Sequence, residues 1–421
     1  MRGWAGAALT CERGLPTGIR SWPVEPQMWE APAMYQRTSV GLDVHARSVV
    51  ACGLDGQTGE LYERRLTPDH REIFAWIRTL PAPVAVAYEA GTTGFGLARF
   101  FTAAGIECVV AAPSKLQRPP GDRVKNDMRD ARHLARLLHL GQIVDIAVPS
   151  VEQEGARDLV RAREDCRRDL MSARHRVSKL LLRQGVVYYG GHAWTKVHDT
   201  WLRAQHFEAP GLQLAYESAY DAMLAAVDRR DRLDTAIAAM VENSAYTPVV
   251  TRLGCLRGVS TLTAFGLAVE VGDWQRLTGR SIGAYLGLVP TEYSSGETRS
   301  QGSITKTGNG HARRLLIEAA WHHRPQYRPS ADLRRRWDKA SPEARARGQQ
   351  ANRRLHNRWV GFDVRRKRPA LANTAIAREL AGWCWSIVRQ KHWLICGTSI
   401  VVPGCRRRPP VAPARIPERR L

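Results

Sequence analysis

The sequence lacks the features that mark secreted, zinc-binding or membrane-spanning proteins. Its eight cysteines are scattered without a Cys-x-x-Cys pair, which argues against a disulfide framework or a zinc site. No stretch approaches the roughly 20 apolar residues that cross a bilayer, and the first segment lacks the order of a secretory signal. We therefore expect a soluble, cytoplasmic protein with reduced thiols.

Acidic residues are also few relative to basic ones. The 421 residues include 63 Lys and Arg against 40 Asp and Glu, for a formal net charge of +23, and only 8 of the basic residues are lysine. A folded multidomain protein with this excess typically binds a polyanion, either nucleic acid or an anionic membrane surface. Arginine binds phosphate bidentately and so favours nucleic acid, although a GC-rich genome also raises the arginine content.

Neither end of the chain shows a regular pattern. Residues 1–37 contain Gly, Pro, Trp and Ser without periodicity, and residues 403–421 are rich in Pro and Arg. We expect a disordered leader and a disordered basic tail. Met34 lies just before the first patterned segment, so it is a candidate for the true start of the protein.

Strand and helix patterns alternate between residues 38 and 150. Residues 39–52 show a β-branched alternating pattern and continue, after a turn-rich stretch, at 60–66, which predicts a hairpin. Helical patterns and short apolar strands then follow one another at 68–80 (helix), 84–88 (strand), 95–104 (helix), 107–112 (strand) and 127–140 (helix). This alternation predicts an α/β layer with a parallel component.

The pattern becomes helical after Pro149. Residues 153–184 and 212–242 each predict a long amphipathic helix, and together they indicate either an antiparallel hairpin or a coiled-coil dimer element. Residues 331–402 are helical and basic, with a Trp383-Cys384-Trp385 cluster that we interpret as core.

Four acidic residues stand at positions suited to chemistry. Asp43 lies in the first strand, Glu89 follows the strand at 84–88, and Asp127 and Asp130 share one face of a helix. Four carboxylates placed this way could hold two Mg²⁺ ions about 3.5 to 4 Å apart and support phosphodiester chemistry. Each also has a structural interpretation, such as Asp127 as a helix cap with Asp130 in the first turn.

A second set of candidate residues lies between 249 and 330. Residues 253–273 are typical of a helix-hairpin-helix, in which a turn at Gly258 would expose backbone N–H groups to a DNA phosphate; a structural helix-turn-helix is the alternative. A Ser294-Ser295-Gly296 loop follows, and Ser-Ser-Gly is more often an ordinary turn. The basic residues near it, which would suit a phosphate site, are Arg299, Lys306, Arg313 and Arg314.

These motifs together resemble one family. The stretches VGLDVH at 40–45, YEA at 88–90 and KNDMRDA at 125–131 resemble the DEDD blocks of the RuvC-like, RNase H-type domain of IS110-family insertion-sequence transposases, which are relatives of the Piv and MooV DNA invertases. The second set resembles the C-terminal transposase domain of the same family. The two blocks occur in the right order and cover about residues 38–325.

The resemblance implies a fold and a domain organisation. It implies an α/β RNase H/RuvC-like N-terminal domain, a long helical, coiled-coil-like linker, and a mainly α C-terminal domain with a helix-hairpin-helix-like element. The expected boundaries are a leader at 1–37, the DEDD domain at 38–150, the helical linker or dimerisation region at 151–248, the transposase domain at 249–330, a basic helical extension at 331–402 and a tail at 403–421.

The resemblance also implies site residues and a reaction. The Mg²⁺ ligands would be Asp43, Glu89, Asp127 and Asp130. Ser295 would be the nucleophile that attaches covalently to DNA, with Ser294 as the alternative one position away. The implied function is Mg²⁺-dependent DNA transposition by a homo-oligomer, guided by a bridge RNA, with no membrane partner. Residues 157–183 would contact an RNA or DNA backbone.

Two other functions fit the same residues. A hydrolytic junction nuclease would use the four acids with water, and Ser295 would then belong to a turn. A non-catalytic nucleic-acid-binding protein would use the carboxylates only structurally. A covalent protein-DNA adduct distinguishes the transposase from both.

Overall fold

The computed structural model describes residues 36–116, 126–296 and 298–389, which form two compact units divided between Pro149 and Ser150. The expected tail, nearly all of the expected leader including Met34, and residues 390–402 of the expected extension lie outside the described residues. None of the described helices is both long enough and apolar enough to cross a membrane.

The first unit is built on a five-stranded sheet in the order β3-β2-β1-β4-β5. Its strands are β1 (Thr38–Val44), β2 (Val49–Asp55), β3 (Leu61–Leu66), β4 (Val84–Glu89) and β5 (Glu107–Ala111). Strand β2 is antiparallel to both β1 and β3, whereas β1, β4 and β5 are parallel. Its helices are α1 (His70–Ile77), α2 (Gly96–Ala103) and α3 (Asp127–His139). This confirms the mixed α/β layer with a parallel component.

The predicted hairpin at 39–66 is instead a three-stranded meander. The chain turns within the stretch that the alternating pattern assigned to one strand, and His45 donates its backbone N–H to the Ser48 carbonyl at 3.0 Å. The alternation resumes after this turn, with Val44 facing Val49 across the two strands. Because the alternation of apolar residues has the same period on both sides of the turn, the sequence pattern did not indicate where the turn lies.

The two faces of the sheet carry different helices. Val40 and Leu42 pack on one face with α1 and α2, and the intervening Gly41 faces α3. A Cβ atom at Gly41 would lie 2.1 Å from the Ala131 carbonyl oxygen, so only glycine permits this close approach of helix and strand. Asp43, two residues further along β1, therefore also lies on the α3 face.

Replacing Gly41 should destabilise the first unit strongly. In Gly41→Ala the added methyl group meets the α3 backbone, which cannot move aside as a side chain can, so we expect a loss of about 3 kcal/mol. Urea unfolding followed by circular dichroism measures it. Gly53→Ala is the matched control, because the nearest atom to its Cβ is the flexible Leu80 Cδ1 at 3.2 Å, and its other neighbours are at ordinary contact distance. Equal midpoints for the two variants would contradict this account.

The second unit begins with two long antiparallel helices. Helices α4 (Val151–Arg183) and α6 (Pro210–Glu242) are joined through the short α5 (Lys196–Arg203). Arg163 of α4 contacts Asp234 of α6 at 2.7 Å, and Cys166 contacts the Ala226 carbonyl at 3.4 Å, so the helices run in opposite directions. Of the two predicted arrangements, the chain forms the antiparallel hairpin within itself.

The rest of the second unit is mainly helical and shares one core. Its elements are α7 (Thr247–Leu253), α8 (Thr261–Val271), α9 (Ser281–Tyr285), β6 (Pro290–Glu292), β7 (Gln301–Ile304), α10 (Gly310–Trp321), α11 (Ala331–Asp338), α12 (Pro342–Val364) and α13 (Pro369–Val388). Trp337 and Asn352 both donate to the Cys255 carbonyl at 3.1 Å, so the helices after residue 330 complete the core of those before it. Cys384 is buried as expected, whereas Trp383 and Trp385 are half-buried.

Candidate functional site

The candidate metal site lies where strands β1 and β4 end. The parallel register pairs Leu42 with Tyr88, so the next residues along, Asp43 and Glu89, stand side by side at the carboxyl ends of the two strands. Ala87 packs with Leu138 of α3, which places Glu89 on the same face as Asp43 by alternation. The sheet thus brings two of the four predicted acids to one edge.

Helix α3 supplies the other two acids from its first turn. Asn126 caps the helix by accepting a hydrogen bond from the Met128 N–H at 3.0 Å. Asp127 is consequently the first residue of the helix and not its cap, which corrects the structural interpretation offered for it. Its carboxylate is left to face Asp43, with Asp130 one turn further along.

Three side chains converge closely enough to share one cation. Ligand atoms of Asp43, His45 and Asp127 all lie within 4.8 Å of one another. His45 Nε2 is 3.1 Å from Asp43 Oδ2 and 3.9 Å from Asp127 Oδ1. Within the described residues, this compact group includes neither Glu89 nor Asp130.

The electrostatics of this group suit a divalent cation. Burial raises the pKa of Asp43, the neighbouring His45 opposes the rise, and the negative charges of Asp127 and Asp130 add to it. A bound cation would relieve this repulsion, and carboxylate oxygens are the ligands that Mg²⁺ prefers. The imidazole is a softer ligand, which Mn²⁺ and Zn²⁺ accept more readily. The donor set therefore fits a divalent metal.

His45 is the member of the group that the sequence patterns did not single out. It lies two residues after Asp43, and residues two apart on a strand share a face. The same alternation that placed Asp43 could therefore have placed His45 beside it. The intervening Val44 ends β1, so only the side-chain geometry shows that the alternation continues into the turn.

The candidate serine lies at the tip of the β6–β7 hairpin. Ser295 and Thr298 exchange backbone hydrogen bonds of 3.2 and 3.1 Å, and Gly296 adopts a left-handed φ of 56°. Ser295 is exposed, whereas the neighbouring Ser294 hydroxyl donates to Glu292 Oε1 at 3.0 Å. A tight backbone turn thus presents Ser295 to solvent.

The four basic residues predicted around this loop divide into two pairs. Arg299 and Lys306 are exposed, with Arg299 Nε 3.5 Å from Glu292 Oε1. Arg313 instead donates to the Leu286 and Thr307 carbonyls, both at 3.0 Å, and burial lowers its pKa. Arg314 forms ion pairs with Glu164 and Glu318. Of the four, only Arg299 and Lys306 are exposed, and within the described residues Arg299 has a single long ion pair, with Glu292.

Gly258 occupies the turn between α7 and α8. Its φ is 81°, and an added Cβ would lie 2.4 Å from the Ala319 carbonyl oxygen. The adjacent Arg257 N–H donates to the buried Asn352 Oδ1 at 2.8 Å. Packing against α10 therefore explains the glycine on its own, and one N–H group of the turn already has a protein partner.

Three arginines in the first half of α4 hold the second unit together. Arg157 donates to the Val269 carbonyl at 2.8 Å, and Arg161 binds Glu270 through two hydrogen bonds of 3.0 and 3.1 Å. Arg163 binds Asp234 in the same bidentate way. These side chains, expected to contact nucleic acid, are instead bound to α6 and α8.

Glu270 is the centre of a buried polar network that the sequence patterns did not reveal. It is fully buried and accepts hydrogen bonds from Arg161, Asn309 at 2.7 Å and His311 at 3.0 Å. Burial raises its pKa, but the hydrogen bonds from His311, Arg161 and Asn309 outweigh this effect and bring the pKa to about 2. The carboxylate thus fixes α8 against α4 and the start of α10.

Replacing Glu270 should cost about 3 kcal/mol near neutral pH, because Glu270→Gln leaves the Arg161 guanidinium without an opposite charge. The depressed pKa gives the stabilisation a defined window: it is complete above the unfolded value of about 4.5 and is lost as the pH falls toward about 2. The free energies of unfolding of the wild type and the variant, measured in urea at pH 7, 4 and 3, should therefore converge as the pH falls. The control is Glu318→Gln, at an exposed position. If the free energy of unfolding differs between wild type and Glu270→Gln by the same amount at every pH, the lowered pKa of Glu270 is refuted.

An acidic edge that fits a divalent cation on an α/β sheet, followed by a basic helical unit with an exposed serine turn, is typical of a nucleic-acid-processing protein. Two family models match the chain: a DEDD-type IS110 transposase model over residues 40–184, and one described as "Transposase IS116/IS110/IS902 family" over residues 250–335. The protein belongs to the IS110 family of insertion-sequence transposases, as its motifs indicated.

Individual relatives agree with the family models. The y4qE protein of Sinorhizobium fredii is 38% identical over 86% of this chain and 90% of its own length. The transposase for insertion sequence element IS1533 of Leptospira borgpetersenii is 30% identical over 80% of this chain and 99% of its own length. The transposase for insertion sequence element IS1328 of Yersinia enterocolitica is 25% identical over 67% of this chain and 83% of its own length.

Proposed function

We propose that this transposase cleaves and rejoins DNA strands with a divalent metal at the acidic edge and a serine that attaches covalently to DNA. The observation that carries the proposal is the convergence of Asp43 and Asp127 at the end of β1, beside His45. Negative charges gathered this closely would repel the phosphates of a nucleic acid, unless cations lie between the carboxylates and the phosphates.

The strand arrangement supports an RNase H-type, RuvC-like fold for the first unit. The strand order is β3-β2-β1-β4-β5, and β2 alone runs in the opposite direction to the other four strands. This arrangement suits that fold. In such a sheet the ends of the two central parallel strands carry the metal ligands. Asp43 and Glu89 occupy those ends.

The proposed metal ligands are Asp43, Glu89, Asp127 and Asp130, and the proposed cofactor is Mg²⁺, as two ions. When bound, the metal would polarise the scissile phosphate and stabilise the leaving oxygen. Asp43 and Asp127 would bind it together. His45, hydrogen-bonded to Asp43, would orient that carboxylate.

The proposed nucleophile is Ser295. Its Oγ would form a bond to phosphorus, its proton would be lost, and the oxygen of the adjoining deoxyribose would leave and take up a proton. The phosphoserine link keeps the energy of the broken phosphodiester bond for rejoining. Exposed Arg299 and Lys306 would bind neighbouring phosphates, and the Gly258 turn would act as a helix-hairpin-helix contact.

The wider assembly is also part of the proposal. We propose a cytoplasmic homo-oligomer that binds element-end and target DNA, with a bridge RNA that selects the sites. The support is the family membership together with the net charge of +23.

One assay tests the reaction against its rivals. Full-length protein is incubated with element-end DNA, Mg²⁺ and RNA transcribed from the non-coding sequence beside the gene. The mixture is then denatured and resolved by gel electrophoresis. A protein-DNA adduct is the expected result. Nicking without an adduct would indicate the hydrolytic nuclease, and binding without cleavage would indicate the non-catalytic protein.

A further inference from the structure

A basic groove lies beside the serine hairpin and outside most of the family match. A cavity of about 950 Å³ is walled on one side by Gly302, Ser303 and Ile304 of the hairpin and on the other by α13. A second cavity of about 720 Å³ follows the exposed face of α12. The two share Arg354 and Arg358 in their linings, so they adjoin, and together we call them the channel.

The charge of this channel is strongly one-sided. We define the arginine track as the six arginines that line it: Arg280, Arg347, Arg353, Arg354, Arg358 and Arg378. Glu379 is the single acidic residue that lines either cavity. It binds both Arg354 and Arg358, which fixes these two guanidinium groups in the channel.

The remaining members of the track differ in how they are held. Arg347 lies over the Trp383 ring with its Cζ 4.4 Å from the ring centroid and donates to Ser386 Oγ at 2.7 Å. Arg280, Arg353 and Arg378 are exposed and have no ion-pair partner within the described part of the chain. The track therefore contains both fixed and free guanidinium groups.

We propose that the arginine track binds the phosphate backbone of a single DNA strand next to the serine hairpin. A row of arginines matches the repeating charge of a phosphate backbone, and two joined cavities suit a polymer better than one small molecule. Each cavity is of the size that holds small molecules, so a duplex would reach only the rim. DNA is the occupant because Ser295, on the same hairpin, is proposed to attack DNA; the inference rests on that function.

The test is a binding measurement on the full-length chain with Arg280, Arg353 and Arg378 each changed to Gln. These three are chosen because removing Arg354 or Arg358 would take an ion-pair partner from the half-buried Glu379. The probe is a fluorescein-labelled single-stranded DNA 15-mer, followed by anisotropy at several salt concentrations. The control variant changes Arg203, Arg232 and Arg335 to Gln, which removes the same charge from side chains that are 62%, 72% and 77% exposed.

The track variant should bind the single strand at least 10-fold more weakly than the control. The logarithm of the association constant decreases with the logarithm of the salt concentration, and the magnitude of this slope should be smaller by about 2 in the track variant. Each lost contact with a single strand contributes about 0.7. Equal affinities of the two variants would overturn the proposal. A larger loss of affinity for RNA of the same sequence would make RNA the occupant and overturn the proposal. An equal loss for duplex DNA would show that the track does not select a single strand, which would also overturn it.

The two proposals fail in different ways. If the wild type forms no adduct and the track variant still loses single-stranded DNA binding, the serine chemistry is wrong and the DNA surface stands. If the adduct forms with wild-type protein and the track variant binds DNA as the control does, the track is wrong and the chemistry stands.

Discussion

Asp43→Asn should lower the rate of DNA strand cleavage by about 10³-fold or more while leaving the fold intact. Asparagine keeps the size of the side chain but removes the charge that would hold the metal between β1 and α3. Metal stabilisation of a phosphoryl transition state is worth several kcal/mol, and each 1.36 kcal/mol is a factor of about ten in rate. The initial rate of nicking of element-end DNA in saturating Mg²⁺ measures it.

The control for this variant is Glu107→Gln. Glu107 begins β5, at the opposite end of the parallel strands, and is ion-paired with Arg37 at 2.8 Å. Its loss removes the same charge from the same unit, so cleavage should change less than about twofold if the effect is local. Circular dichroism should be unchanged in both variants. If Asp43→Asn cleaves as fast as Glu107→Gln does, the acidic edge is structural.

The parts of the fold that local patterns determine were predictable. The periodicities at 127–140 and 153–184 reflect apolar faces, and α3 and α4 occupy those ranges to within a few residues. The order of the sheet is set by pairing between distant segments, such as β1 with β4, which no local pattern encodes. The turn at 45–48 was hidden for a related reason, because the alternation continued on both sides of it.

The candidate sites show the same division. The acids of the acidic edge were predictable because strand ends marked Asp43 and Glu89, and helical spacing marked Asp127 and Asp130. The partners of the arginines were not: Arg161 binds Glu270, 109 residues further along the chain. A basic residue in a sequence therefore indicates a phosphate contact or a distant carboxylate equally well. Arg313 and Arg314 proved to have internal partners, whereas Arg299 and Lys306 are exposed.

Ser295→Ala should reduce the covalent protein-DNA adduct below detection, whereas Ser294→Ala should retain it within a few-fold. Ser294, Gln301 and Arg299 together lower the pKa of Glu292, the carboxylate to which Ser294 donates. A carboxylate with a lowered pKa is a weak general base, so this contact is suited to holding the turn and not to activating a nucleophile. Denaturing gel electrophoresis of labelled DNA measures the adduct.

The hairpin itself provides the control that makes this comparison decisive. Ser300→Ala removes a hydroxyl from the same exposed loop, where the Ser300 carbonyl accepts the Tyr293 N–H at 2.9 Å, a backbone contact that the substitution keeps. Its adduct should equal that of the wild type. Loss in Ser294→Ala with retention in Ser295→Ala would move the nucleophile by one residue. Retention of the adduct in both variants would mean that neither serine is required for the covalent link, and the proposal of a serine nucleophile in this loop would be wrong.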